Sequence, residues 1–289
     1  MKKIGLYICG FFIILNINGG MEMIEKNKRN NNILIIGVLI IFTICLIQLN
    51  MASVIPTAAN VNDKTIGWGI KRANNNQQPD VGAANKKILE EEDGICIGKD
   101  NDKIIYLTFD EGYEAGYTDK ILNTLKENDV KATFFITSHY LNTASDLVKR
   151  MIDEGHIVGN HTVNHKSMPS ISNEEIETEI MKLHQAVIEK FNYEMKYMRP
   201  PKGEFSKRTL QKTSELGYKT VMWSFAYFDW DEKKQPSLEE SKKMIINNLH
   251  CGEIMLLHPN SKTNSEVLDT IIKEAKNQGY EFKLLDEFK

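Results

Sequence analysis

A chain of 289 residues is long enough for one large domain or two small ones. Its 36 basic and 39 acidic residues leave a net charge of -3, and 42% of its residues are apolar, which excludes a disordered chain and a basic nucleic-acid binder. Cys9 and Cys45 lie within apolar stretches and only Cys96 and Cys251 lie beyond them, which excludes a disulfide framework and a cysteine-rich metal site; one bridge between the last two stays open.

The charge is uneven along the chain. Residues 1–60 hold five basic and two acidic residues, leaving 31 and 37 for residues 61–289, a net of -6. Residues 33–49 form an almost unbroken apolar run behind Lys26, Lys28 and Arg29. At about 1.5 Å per residue this run is near the shortest that spans a hydrocarbon core of about 30 Å, so it reads as an export signal, either kept as a membrane anchor or removed. The basic residues before it place the start of the chain in the cytoplasm and everything after Asn50 outside, a secreted or membrane-anchored protein of the cell envelope. A shorter apolar run, residues 4–17, precedes it. Met21 or Met23 begins a complete signal alone, so residues 1–20 read as a mis-assigned start, with a helical hairpin in the membrane as the alternative.

Residues 51–87 are rich in Asn, Gln, Ala, Gly and Pro without an apolar period, which predicts a linker or lead-in and a folded domain over residues 88–289. From there strand-like and helix-like segments alternate. Strands are predicted at 104–109, 132–137, 156–160, 196–200, 219–225, 253–258 and 280–285, and helices at 118–128 and 145–154. Ser172 with Glu175 and Ser237 with Glu240 form capping boxes for helices reaching Phe191 and Leu249; Ser206 opens another to Leu216, and a last helix spans 265–277. The strands are β-branched and apolar on both faces, so the pattern implies an α/β fold with a parallel sheet covered by helices. About seven units make it a (β/α) barrel, distorted or incomplete.

In such a barrel reactive groups gather at the carboxyl ends of the strands. Asp110 and Glu111 follow the first strand, His161 and His165 the third, Arg199 with Pro200 and Pro201 the fourth, Asp229 and Trp230 the fifth, and His258 the sixth. Two histidines four apart on a turn of helix can meet one metal ion, and a carboxylate beside them completes a set that leaves a position open for water.

These segments resemble, in order, the five motifs of the polysaccharide deacetylases with the NodB-type domain, carbohydrate esterase family 4. They are Thr108-Phe-Asp-Glu111, His161-Thr-Val-Asn-His165, Arg199-Pro-Pro-Lys-Gly203, Asp229-Trp230 and Leu256-Leu-His258. TFDEGYEAGYT (108–118), EGHIVGNHTVNH (154–165), RPPKGEFS (199–206), WSFAYFDW (223–230) and the lead-in WGIKRANNNQQP (68–79) are similar to the branch that makes muramic δ-lactam in spore cortex.

The resemblance implies a hydrolase that removes the acetyl group from N-acetylmuramic acid in peptidoglycan glycan strands after an amidase has removed the stem peptide, acting as a monomer with a divalent metal, zinc or cobalt. It implies Asp110 as general base, His161 and His165 as metal ligands, His258 as the acid that protonates the leaving amine, Arg199 as the partner of Asp110 and Asp229 as that of His258. The backbone N–H near Tyr113 supports the oxyanion, and Pro200 and Trp230 wall the sugar pocket. Glu111 stands where most members have a second aspartate as metal ligand, so it is the expected third ligand at a departed position. Trp223, Phe225, Tyr227 and Phe228 read as core and pocket wall, and His139, His156, His184 and His250 take no role. Two other readings remain: an N-acetylglucosamine deacetylase of peptidoglycan or chitooligosaccharides, and an inactive glycan-binding protein.

Overall fold

The computed structural model describes residues 4–8, 11–15, 63–73 and 76–288. The chain divides into two compact units, Met1–Asn60 and Val61–Lys289. In the first unit the described residues are two strands, Ile4–Ile8 and Phe11–Leu15, paired antiparallel from Ile4 opposite Leu15 to Ile8 opposite Phe11. The described part of that run is therefore strand, not the helix raised as an alternative. The longer apolar run, 33–49, lies outside the described residues, and among those described no helix is long and apolar enough to cross a membrane.

The second unit is a parallel sheet wrapped by helices. Its strands are β1 (Ile104–Glu111), β2 (Thr133–Ile136), β3 (Ile157–Asn160), β4 (Tyr197–Met198), β5 (Lys219–Thr220), β6 (Glu253–Leu257) and β7 (Glu281–Phe282). They run β6-β1-β2-β3-β4-β5 with β7 against the start of β1, and every pairing is parallel. The helices are α1 (Ala83–Glu91), α2 (Thr118–Glu127), α3 (Ser138–Thr143), α4 (Ser145–Asp153), α5 (Asn173–Phe191), α6 (Lys207–Glu215), α7 (Leu238–Ile246) and α8 (Lys262–Asn277).

Strand alternation sorts the core into two layers. Ile105, Leu107 and Phe109 of β1 and Phe134 and Ile136 of β2 face outward onto Ile121, Leu122 and Leu125 of α2 and the other helices. Ile104, Tyr106 and Phe135 face inward with Ile157, Tyr197, Val221 and Ile254 to fill the barrel. Both faces are apolar, as expected of parallel strands covered on each side.

The fifth strand is shorter than the predicted 219–225 because the chain there divides its hydrogen bonds among three partners. Val221 N–H donates to Met198 O at 2.8 Å, Met222 N–H to Ile95 O at 2.8 Å, and Ser224 and Phe225 N–H to Ile254 O at 3.0 and 3.2 Å. This irregular stretch brings the open edge of the sheet back to β6 through a lone parallel bridge, Phe225 to Met255. Three helices are capped as expected: Ser172 and Ser237 each complete a box with Glu175 and Glu240, and the Ser206 hydroxyl accepts from Thr209 N–H. The last helix starts earlier than 265, at Lys262, with Ser261 as its cap. The seventh helix stops at Ile246 and the final strand covers only Glu281–Phe282.

The described residues 63–73 and 76–87 are part of the barrel unit, so the domain begins earlier than predicted. Ile66 and Gly67 pair antiparallel with Phe205 and Glu204. Trp68 is buried, its indole N–H donating to Trp223 O at 2.8 Å and its backbone N–H to Gly203 O at 2.8 Å. With Val81, Leu89, Cys96, Phe205, Leu210 and Met222 it forms a third apolar cluster. One aromatic residue in a polar stretch carries no period, so this docking has no local signature. Cys96 and Cys251 are free thiols.

Candidate active site

Asp110, His161, His165 and His258 line one cleft of about 980 Å³ at the carboxyl ends of the strands, with Gly112, Tyr113, Lys202 and Trp230 among its other walls. The alternation along β1 turns Asp110 inward and Glu111 outward. Asp110 is 9% exposed and accepts from Arg199 Nη1 at 2.8 Å, while its second oxygen lies 3.6 Å from His161 Nε2. Burial pushes the Asp110 carboxyl up, but Arg199, His161 and His258 together outweigh it and hold it below the usual carboxylate range.

Arg199 is fully buried. Its Nε donates to Val221 O at 3.1 Å and its guanidinium lies over the Phe135 ring at 4.3 Å, so the cation is fixed on the side away from solvent. Its Nη2 has no partner among the described residues.

Glu111 corrects the expectation for the third metal ligand. It is fully buried among outward-facing groups, where its Oε1 accepts from Thr118 of α2 at 3.4 Å and its Oε2 has no partner among the described residues. Burial, and then the neighbouring Glu114, raise its carboxyl well above the ordinary glutamate value. Glu111 is packed behind the strand, in contact with α2, rather than standing as a ligand in the cleft.

The two histidines do meet, though not on a helix. Thr162 and His165 take left-handed backbone, with φ of 69° and 53°, so the segment is a tight loop. Glu179 of α5 pins that loop, accepting from Asn164 N–H and Nδ2 at 2.7 Å each. His161 Nδ1–H donates to Arg199 O at 2.8 Å, which leaves the Nε2 lone pair facing His165 Nε2 at 3.1 Å. Burial lowers both imidazoles, outweighing the opposing pull of Asp110 on His161 and reinforced by His161 at His165, which falls to about 4, so both are neutral at pH 7. Their spacing is that of two nitrogens each about 2.0–2.1 Å from one ion, and the carbonyl on His161 Nδ1 is the usual outer support of a metal-bound imidazole. The pair fits a divalent ion; the His₂-carboxylate set with Glu111 does not. Among the described residues no three His, Cys, Asp or Glu side chains converge as a metal cluster.

Opposite this pair stands His258 at the end of β6. Asp229 Oδ1 lies 2.7 Å from its Nδ1, and Asp229 Oδ2 accepts from the His258 backbone N–H at 2.8 Å. Burial works against protonation of His258, but Asp229 outweighs it and raises the imidazole above its ordinary value. Asn264 of α8 holds Asp229 Oδ2 at 2.6 Å; a helix asparagine of this kind has no signature in the sequence.

The rim is aromatic. Trp230 is 50% exposed, with its ring 5.7 Å from that of His258, and Phe228, at 44% exposed, packs edge-on against it. Phe228 is therefore rim rather than core. The Tyr113 hydroxyl donates to Glu232 at 2.6 Å and accepts from Asn260 Nδ2 at 2.9 Å, which ties the loop after β1 to the loops after β5 and β6. Pro200 is buried and does not line the cleft; Lys202 and Gly203, two and three residues on, do. His139, expected to take no role, lines the cleft, whereas His156, His184 and His250 do not.

The model of the polysaccharide deacetylase family matches residues 97–221. The peptidoglycan-N-acetylmuramic acid deacetylase PdaA of Bacillus subtilis is 39% identical over 246 residues, 85% of this chain and 94% of that protein. An uncharacterized 30.6 kDa protein of Geobacillus stearothermophilus is 47% identical over 232 residues, 80% of this chain and 88% of its own length. The structure of Bacillus subtilis PdaA, a family 4 carbohydrate esterase, superposes with a TM-score of 0.77 at 41% identity, covering 79% of this chain and 98% of that one.

Proposed function

This chain belongs to the polysaccharide deacetylase family, and we propose that it hydrolyses the N-acetyl group of N-acetylmuramic acid in peptidoglycan. The observation that carries the reading is the pairing in one cleft of a buried, ionised Asp110 with a charged-prone His258, each held by its own partner, Arg199 and Asp229. Likeness to the muramic acid deacetylase of Bacillus subtilis extends over nearly the whole of that protein and includes the lead-in.

The reaction adds water across the amide and yields acetate and a free amine. Asp110, kept ionised by Arg199, accepts the proton from the attacking water. The oxyanion is met by backbone N–H groups of the loop at Gly112 and Tyr113, which Thr137 fixes by donating to Gly112 O at 3.0 Å. His258, whose protonated form Asp229 favours, delivers its proton to the departing nitrogen. Trp230 offers an apolar face to the sugar ring. His161 and His165 hold the divalent ion, zinc or cobalt, which when bound supplies Lewis-acid polarisation of the acetyl oxygen.

The substrate lies outside the cytoplasmic membrane, and the basic-then-apolar start of the chain is the address that brings residues after Asn50 to it. The freed amine stands next to the lactyl carboxyl of the same sugar, so closure to a muramic δ-lactam follows in spore cortex once the stem peptide is gone. Mass spectrometry of glycan strands treated with the protein tests the reading: loss of one acetyl from muramic acid, absent with Asp110→Asn, is expected. Loss confined to glucosamine turns the reading to the other sugar, and binding of strands without any acetate release turns it to an inactive glycan-binding protein.

A further inference from the structure

In N-acetylmuramic acid the lactyl ether sits on the carbon next to the one bearing the acetamido group. A side chain that reads the lactyl carboxylate must therefore stand beside the groups that attack the amide. Among the residues lining the cleft, the one Lys or Arg is Lys202. It is exposed and, among the described residues, no carboxylate pairs with it. Its charge reaches His165, which places it on the histidine side of the cleft.

The backbone around Lys202 is built to hold this position. Lys202 has φ 60° and ψ 6°, a left-handed conformation that a residue with a Cβ rarely adopts, and Gly203 follows at φ 65°. A Cβ on Gly203 would meet Trp223 Cη2 at 2.6 Å, so the turn closes tightly on that ring. Gly203 N–H donates back to Pro200 O at 3.2 Å, and the lead-in clamps the turn from outside through Trp68 N–H to Gly203 O and the pairing of Ile66 and Gly67 with Phe205 and Glu204. Two prolines, a tight glycine and a strap from more than a hundred residues upstream thus fix one unpaired cation at the wall of a cleft in a unit whose net charge is otherwise negative.

We propose that Lys202 is the specificity-determining residue that recognises the free lactyl carboxylate of muramic acid, and so directs the enzyme to glycan strands stripped of stem peptide. The proposal rests on the muramic acid reading above. A stem peptide converts that carboxylate into a neutral amide and adds bulk beside it, so a peptide-bearing sugar offers Lys202 no charge to pair with, whereas a stripped one offers a charge-assisted hydrogen bond. N-acetylglucosamine, with a hydroxyl at that carbon, offers none either.

The test compares the full chain with Lys202→Met and Lys202→Arg on two substrates: peptide-free glycan strands, and the same strands with the lactyl carboxyl converted to its methyl amide. Acetate release gives kcat and KM, and mass spectrometry assigns the lost acetyl to a sugar. Lys202 is exposed, so neither variant disturbs the core. For the unaltered protein, KM is expected to be about tenfold lower on the free carboxylate than on the amide, the size of one charge-assisted hydrogen bond. Lys202→Met is expected to raise KM on the free carboxylate to the amide value with kcat kept, to leave the amide substrate unchanged, and Lys202→Arg to restore the preference. If the unaltered protein prefers the carboxylate and Lys202→Met keeps that preference, or if no preference exists, the proposal is overturned while the muramic acid reading stands. If muramic acid loses no acetyl from either substrate, both fall together.

Discussion

Asp229 grips His258 at two points, its Oδ1 at the ring Nδ1 and its Oδ2 at the backbone N–H of the same residue. One carboxylate thereby sets both the position of the residue that follows β6 and the protonation of its imidazole. Replacing it with Asn removes the charge but keeps the shape. Asp229→Asn is expected to cut kcat by about 10² or more and to move the alkaline limb of the kcat/KM profile to lower pH. The sign follows from the direction of the shift: Asp229 raises His258, so without it the imidazole loses its proton at lower pH. An unchanged alkaline limb would show that His258 is not the acid.

Arg199, just past β4, and Asp110, in β1, form a buried pair across the barrel. Removing the cation leaves an uncompensated carboxylate at 9% exposure. Arg199→Met is expected to destabilise the protein by about 3–5 kcal/mol and to lose activity, whereas Arg199→Met with Asp110→Asn recovers much of the stability and none of the activity. Denaturant unfolding and acetate release read the two effects separately.

Metal affinity distinguishes the ligand pair from the residue expected beside it. In calorimetric titration with Zn²⁺, His165→Ala is expected to weaken binding by more than about tenfold, and Glu111→Gln to leave it unchanged, because Glu111 faces the helices. A comparable loss in Glu111→Gln would mean that the carboxyl swings into the cleft when the ion arrives.

His156 is buried against Phe134, and its Nδ1 accepts from Ala132 N–H at 3.1 Å. Burial lowers its pKa from 6.5 to about 4. The unfolded chain therefore takes up a proton between about pH 6.5 and 4 that the folded one refuses, so this residue's contribution is intact above that window and lost as pH falls through it, by roughly 3 kcal/mol at most. Unfolding free energies of the protein and of His156→Gln, measured from pH 7 to pH 4.5, are expected to differ in slope by up to one proton.

The lead-in contributes to stability as core does. Trp68→Ala is expected to cost about 3–5 kcal/mol, and a chain beginning at Ile88 to unfold well below one beginning at Val61. Equal melting temperatures for the two truncations would make the strap an ornament.

What could be read from the residues alone was what is local. Ser172, Ser206 and Ser237 announce helix starts because a cap is an interaction across three residues, and the structure has all three. Asp110, His161, Arg199, Asp229 and His258 were legible as a group because strand ends converge in a barrel. The direction of Glu111 was harder: period-2 alternation points it outward, yet at a strand's last residue the chain is free to turn, and only the contact with Thr118 decides. Lys202, Asn264 and Trp68 were missed because each depends on partners far away in sequence, Trp223, Asp229 and Gly203 among them. The fifth strand was overextended because Val221 to Phe225 is β-prone, and competition among three hydrogen-bond partners does not show in composition.

The strap also sets an order of events during synthesis. Trp68 leaves the ribosome long before Phe205 and Trp223 exist, and until they arrive its indole has neither its cluster nor its carbonyl acceptor. Contacts between such distant segments close late, after the strands between them have assembled. The wall of the cleft that carries Lys202 thus waits on a strap made long before it, and a chain halted between Lys202 and Trp223 holds Asp110 and Arg199 but neither its clamped lysine nor His258.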